Sequence, residues 1–248
     1  MKPFLILQLR PEDEAADSEY ASFLEKGGVQ AADTHRIRLD QQMLPEDLDL
    51  SDYSGVIVGG GPGCVSDDPA TKDPVEARSE ASMLGLMPAI VDGDVPFLGC
   101  CYGIGILGHY AGAQVSKERY GEPVGPTTCR RTETGRKDPL LADLPEVFPA
   151  LAGHKEALQD LPSGAAHLLS SDTCPFQMIR MGENVYATQF HPEADGAEFA
   201  RRIRIYKDRG YFDPEEAEEL TRTALSADIS EAPRILQRFV ERYSTISR

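Results

Sequence analysis

In the stretch VPFLGCCYGIGIL (residues 95–107) an apolar run enters a glycine-flanked turn and leaves it as a helical pattern. A strand that passes directly into a helix in this way belongs to a sheet whose faces are covered by helices. Elsewhere short β-branched or apolar runs alternate with helical patterns. The pattern predicts an α/β fold: an open, mostly parallel sheet flanked by helices, with a helical C-terminal extension.

Residues 3–9 read as the first strand, and the helical stretch behind them stops at Gly27 and Gly28, the usual C-terminal punctuation. Residues 35–39, 54–58 and 96–99 read as further strands. Helices are expected over 74–87, with Asp73 as N-cap, and over 102–111. From 123 to 181 the chain is rich in Thr, Arg and Pro, with extended runs at 166–170 and 176–181, and reads as strands and turns at one sheet edge. Residues 185–190 form another strand. Three helical patterns follow, at 196–207, 214–227 and 233–243, the last started by Ser230 and Pro233. The 248 residues suit one large domain, with a catalytic core over about residues 1–200 and C-terminal helices over about 201–248.

Asp and Glu number 41 against 25 Lys and Arg, a formal charge of −16. Such a surface repels phosphate, so neither nucleic acid nor an anionic membrane is an expected partner. No apolar run approaches the roughly 20 residues of a membrane helix. The first ten residues are apolar, but Glu12, Asp13 and Glu14 follow them in place of a cleavage site, which argues against a signal peptide. The five cysteines (64, 100, 101, 129, 174) are odd in number and form no CxxC pair, so free thiols in a reducing cytoplasm are expected. Cys and His spacings offer no paired metal ligands, and neither metal nor cofactor is expected.

Gly99-Cys100-Cys101-Tyr102-Gly103 has the G-x-nucleophile-x-G form, with cysteine as nucleophile. Glycine is wanted at 99 and 103 because the sharp turn crowds neighbouring backbone. Cys101 at a helix N-terminus is expected to have a lowered thiol pKa. The Tyr102 N–H would face a developing oxyanion. Cys100 reads as a small buried filler.

The run VYATQFHPE (residues 185–193) is an apolar strand ending in His191, Pro192 and Glu193. His191 falls on the same sheet rim as the nucleophile turn, where open α/β sheets place their sites. Glu193 is positioned to fix its tautomer. The remaining histidines, 35, 109, 154 and 167, read as polar surface residues. Arg201, Arg202 and Arg204 read as a solvated basic helix face, and the acidic run 213–220 as a solvated helix start. The glycine turn GGGPG (residues 59–63) lacks the lysine of a phosphate loop and suits an oxyanion hole, with the Gly61 N–H joining that of Tyr102.

With these segments together, the chain resembles the class I glutamine amidotransferases, specifically stand-alone domains similar to the amidotransferase half of GMP synthase. GVIVGGGPG (55–63), PFLGCCYG (96–103) and ATQFHPE (187–193) carry the resemblance, and residues 153–177 look like the family's histidine turn and edge strands. The resemblance implies a flavodoxin-like fold and hydrolysis of a γ-glutamyl amide without a cofactor. Cys101, His191 and Glu193 would correspond to the triad, and Gly60, Gly61, Tyr102 and Gly105 to oxyanion and substrate-binding positions. One position departs: members that use glutamine commonly carry a glutamine four residues after the nucleophile, where this chain has Gly105. Glycine there makes room for a different or larger substrate.

Two enzymatic readings follow. In the first, ammonia from glutamine passes to a separate synthetase, since this chain shows no ATP-pyrophosphatase loop. In the alternative, the same thiol hydrolyses γ-glutamyl conjugates without a partner. A non-catalytic scaffold is the reading of a different class, and selective labelling of Cys101 discriminates against it.

Overall fold

The computed structural model describes residues 2–244. Its strands are β1 (Phe4–Gln8), β2 (Thr34–Arg38), β3 (Gly55–Val58), β4 (Phe97–Cys100), β5 (Val115–Ser116), β6 (Glu122–Arg131), β7 (Val147–His154), β8 (Ala157–Leu158), β9 (Ala166–Ser170), β10 (Met178–Met181) and β11 (Val185–Thr188). Its α-helices are α1 (Asp13–Gly27), α2 (Pro74–Asp92), α3 (Tyr102–Tyr110), α4 (Gly196–Tyr206), α5 (Ala217–Ser226) and α6 (Pro233–Ser244). Nine strands form one sheet in the order β2-β1-β3-β4-β11-β10-β9-β6-β7, while β5 and β8 pair separately. The half from β2 to β11 is parallel and the half from β11 to β7 is antiparallel.

The inner parallel strands β1, β3, β4 and β11 are buried along their whole length because both their faces are covered, whereas the edge strand β2 buries only Ile37. In β1, Phe4 and Ile6 enter one core and Leu5 and Leu7 the other. The first core is closed by α1 and α6, where the Phe4 and Phe239 rings lie 6.2 Å apart. The second is closed by α2 and α3, through Met83, Met87, Ile90, Ile106 and Leu107. Cys100, the last residue of β4, lies in the first core and is fully buried, as its reading as a filler required.

Strand ends fall within one or two residues of the sequence reading. The larger difference is α2, which continues to Asp92 through Pro88. Its buried stripe of Met83, Met87 and Ile90 holds the helix together across the proline. Residues 123–181 do supply the antiparallel edge. Among the described residues no helix is long and apolar enough to cross a membrane.

Candidate active site

Cys101 follows β4 and caps α3 with φ +53° and ψ −90°. A non-glycine residue there costs of order 1–3 kcal/mol and persists only when its surroundings over-determine it. They do. The Cys101 N–H donates to Thr188 O on β11 at 2.7 Å, which locks the turn to the neighbouring strand. A Cβ on Gly99 would stand 2.8 Å from the Phe97 ring and 3.1 Å from Gly103 Cα, so no side chain fits at 99. At Gly103 itself an added Cβ meets only Val58, at an ordinary 3.9 Å. The crowding is therefore felt at Gly99.

The expected lowering of the Cys101 thiol pKa is reversed. Burial pushes it up to about 12, and the nearby Arg10 guanidinium offsets this only in part. Removing water from a thiolate outweighs the helix N-terminus here.

β11 lies beside β4 in parallel register, with Thr188 opposite Cys100, which brings the segment after β11 to the same rim. His191 is buried, and its N–H donates to Leu151 O at 2.9 Å. Glu193 Oε1 lies 2.8 Å from its Nδ1. His191 and Cys101 line one small cavity together with Arg10, Gly61 and Tyr211. Burial lowers the His191 pKa; Glu193 opposes that shift, and Arg202 and Arg10 reinforce it. Burial works against the Glu193 charge, but His191 and Arg202 more than offset it and hold this carboxyl well below the usual range.

The glycine turn divides its roles. The Gly60 N–H is committed to Glu19 Oε1 at 3.2 Å. Its missing side chain matters more, because a Cβ would stand 2.7 Å from both Arg10 Nη2 and His191 Cε1. Gly61 lines the cavity at Cys101. Tyr102 donates its hydroxyl to Glu80 on α2 at 2.5 Å.

Position 105 holds a correction. The room left by glycine is taken by Glu156, since a Cβ on Gly105 would stand 2.8 Å from Glu156 Oε1. That carboxylate accepts from Val65 N at 2.8 Å, Ser66 N at 2.9 Å and Ser66 Oγ at 2.7 Å, and it lines the pocket at Cys101. Space opens instead on the outer side. A cavity of about 580 Å³ shares Gly63, Tyr102, Lys155 and Tyr211 with that pocket.

Several residues that matter here carry no motif. Arg202 lies buried on α4, while Arg201 and Arg204 are exposed, so the solvated basic face is wrong for the middle arginine. Its position between Phe199, Ile203 and Tyr206, on the apolar stripe of α4, was the signal that could have found it. Arg10 and Glu19 pair at 2.8 Å beneath the glycine turn. His154 is also buried, against its reading as a surface residue. Its Nδ1 donates to Glu156 O at 2.9 Å, and its Nε2 meets Glu122 Oε2 at 2.9 Å. Glu122 also accepts from Thr127, Ser171, Thr173 and Gln177.

Comparison with known proteins agrees with this fold. The model of the glutamine amidotransferase class-I family matches residues 17–204. The chain belongs to that family. A glutamine-hydrolyzing GMP synthase of Streptococcus pyogenes is 30% identical over 142 residues, which are 56% of this chain and 24% of that protein. The chain thus spans about a quarter of the length of that relative. One subunit of the glutamine-hydrolyzing GMP synthase of Natronomonas pharaonis is 26% identical over 166 residues, covering 66% of this chain and 78% of its own length. Among solved structures, a glutamine amidotransferase from Thermotoga maritima is similar with a TM-score of 0.76 over 99% of both chains at 20% identity, a likeness of fold.

Proposed function

We propose that this chain hydrolyses the side-chain amide of glutamine with Cys101 as nucleophile, His191 as base and Glu193 as the residue that orients the base. The observation that carries the reading is the strained Cys101 turn sharing one small cavity with His191, whose Nδ1 meets Glu193 at 2.8 Å. The Cys101 proton passes to His191 Nε2 as sulfur attacks the amide carbon. The Gly61 and Tyr102 N–H groups receive the resulting oxyanion. Collapse breaks the C–N bond, and ammonia leaves with the proton held by His191. Water, deprotonated by His191, then attacks the thioester; glutamate departs and the thiol regains its proton. The ammonia would be taken up by a separate synthetase, as the Natronomonas relative, itself one subunit of a GMP synthase, suggests.

A second reading is favoured by one specific feature. Glu156 stands where family members that use glutamine place a glutamine, and the adjoining cavity of about 580 Å³ would take a leaving group larger than ammonia. That arrangement suits a γ-glutamyl conjugate.

Glutamate release by the purified chain, with glutamine or a γ-glutamyl amine, in wild type and Cys101→Ala, tests both. Cys101-dependent turnover of glutamine supports the first reading, and turnover confined to the conjugate supports the second. Labelling that does not prefer Cys101, together with no turnover of either substrate, would reject the triad.

A further inference from the structure

Arg202 reaches the candidate triad from α4 and is buried together with His191 and Glu193. Its Nη2 donates to Glu193 Oε1 at 3.0 Å, and its Nη1 lies 3.0 Å from His191 Nδ1. Its Nε donates to Glu198 Oε1 at 3.0 Å, which fixes the guanidinium from its own helix. Three groups thus converge: the Glu193 carboxylate, the His191 ring and the Arg202 guanidinium. The ring nitrogen cannot donate to the carboxylate and accept from the arginine at once. A proton on Nδ1 faces the acceptor Glu193 but also the donor Arg202. A second proton, on Nε2, would place a cation against a cation.

We propose that Arg202 is a positioning residue of this site: it clamps Glu193 beside His191 and its charge keeps the imidazole neutral in the resting molecule. The proposal rests on the assignment of Cys101, His191 and Glu193 as a triad. The charged groups facing His191 come from every side: Glu193 on its own segment, Arg202 from α4, Arg10 from the end of β1, and the Cys101 thiol from the elbow. Glu19 on α1 lies 2.8 Å from Arg10 and 4.0 Å from Arg202, and Glu198 lies behind Arg202. Arg202 is the cation that touches the ring nitrogen opposite the one proposed to serve the thiol. Its role is electrostatic and geometric, exerted through His191 and Glu193.

The test is the pH profile of Cys101 alkylation by iodoacetamide, followed at that residue by mass spectrometry. It requires no substrate or partner. The rate has an acid limb where His191 takes up a proton and ceases to accept the one on sulfur. Arg202→Gln keeps a donor for Glu193 but removes the charge, and it moves the limb up by about one pH unit. Arg202→Lys keeps the charge and loses the two-point grip, so the limb stays while the plateau rate drops severalfold. An equal loss of rate in both variants with an unmoved limb overturns the proposal. Should Arg202→Gln fail to fold, the ring titration of His191 in the wild type decides by NMR. Charging at or above the ordinary histidine value sinks the inference. His191→Asn separates the two readings. A limb that survives there rejects the triad itself, whereas a limb lost there but unmoved in Arg202→Gln rejects only Arg202.

Discussion

Glu156 Oε1 stands 2.8 Å from the point where a side chain at Gly105 would begin. Alanine at 105 would normally strengthen α3 by about 1 kcal/mol. Here it must displace a carboxylate that holds Val65 and Ser66 through three hydrogen bonds, each of a kind worth about 1.5–3 kcal/mol. Gly105→Ala is therefore expected to destabilise the protein by about 1 kcal/mol or more in urea denaturation. In a Glu156→Ala background the same change should turn stabilising. Additivity of the two changes would show that the residues do not compete for this space.

The proton balance of the site gives a second expectation. With the Cys101 thiol pushed up to about 12 and His191 pushed down, the resting pair is thiol and neutral imidazole. Thiolate absorbance in the ultraviolet, measured as wild type minus Cys101→Ser, should be absent at neutral pH. It should appear only as pH rises toward 12. A full thiolate signal at neutral pH would mean that substrate-free Cys101 is already ionised.

The neighbouring cysteines should differ sharply. Cys100 is fully buried in the core, and burial holds its thiol far above the ordinary range, while Cys101 borders a cavity. Alkylation of the folded protein should mark Cys101 before Cys100, and Cys101→Ala should not transfer the label to its neighbour. Equal labelling of both would mean that the elbow opens in solution.

Glu122 links stability to pH. Burial opposes its charge, but His154 and Thr173 hold the carboxyl down at about 2, below its ordinary 4.5. The stabilisation is thus complete above 4.5 and is lost as pH falls toward 2. At neutral pH Glu122→Gln should cost about 3 kcal/mol, because it leaves a buried partner unpaired. The gap from wild type should close across that acid window. A gap that stays constant would assign the loss to packing.

The parallel half of the fold was legible because its inner strands β1, β3 and β4 are buried on both faces and so read as apolar runs, while the edge strand β2 shows only Ile37 to the core. The turn at the elbow was legible because glycine at 99 answers a close contact that no other residue survives. Arg10, Glu19 and Arg202 were not. Each looks like an ordinary surface charge along the chain, and its partners lie on other elements, so only packing reveals that water is excluded around it. The thiol was misjudged for the same reason: a helix end can be read from residue order, but the loss of water around the sulfur cannot. The pairing order β9-β6-β7 is likewise non-local, since β6 reaches across to β9 only after β7 and β8 have been made.

The adjacency of β4 and β11 has an evolutionary side. Cys101 and His191 are carried on strands that touch, and the peptide N–H of one is fastened to Thr188 just ahead of the other. β5 to β10 are threaded between them in sequence, yet in the sheet β10, β9, β6 and β7 all lie beyond β11, to one side of both. That excursion supplies Gly153, Lys155 and Glu156 to the wall of the pocket at Cys101. Mutation can lengthen, recolour or reshape it without parting Cys101 from His191. The fold thus separates inheritance of the reaction from adaptation of what it is performed upon.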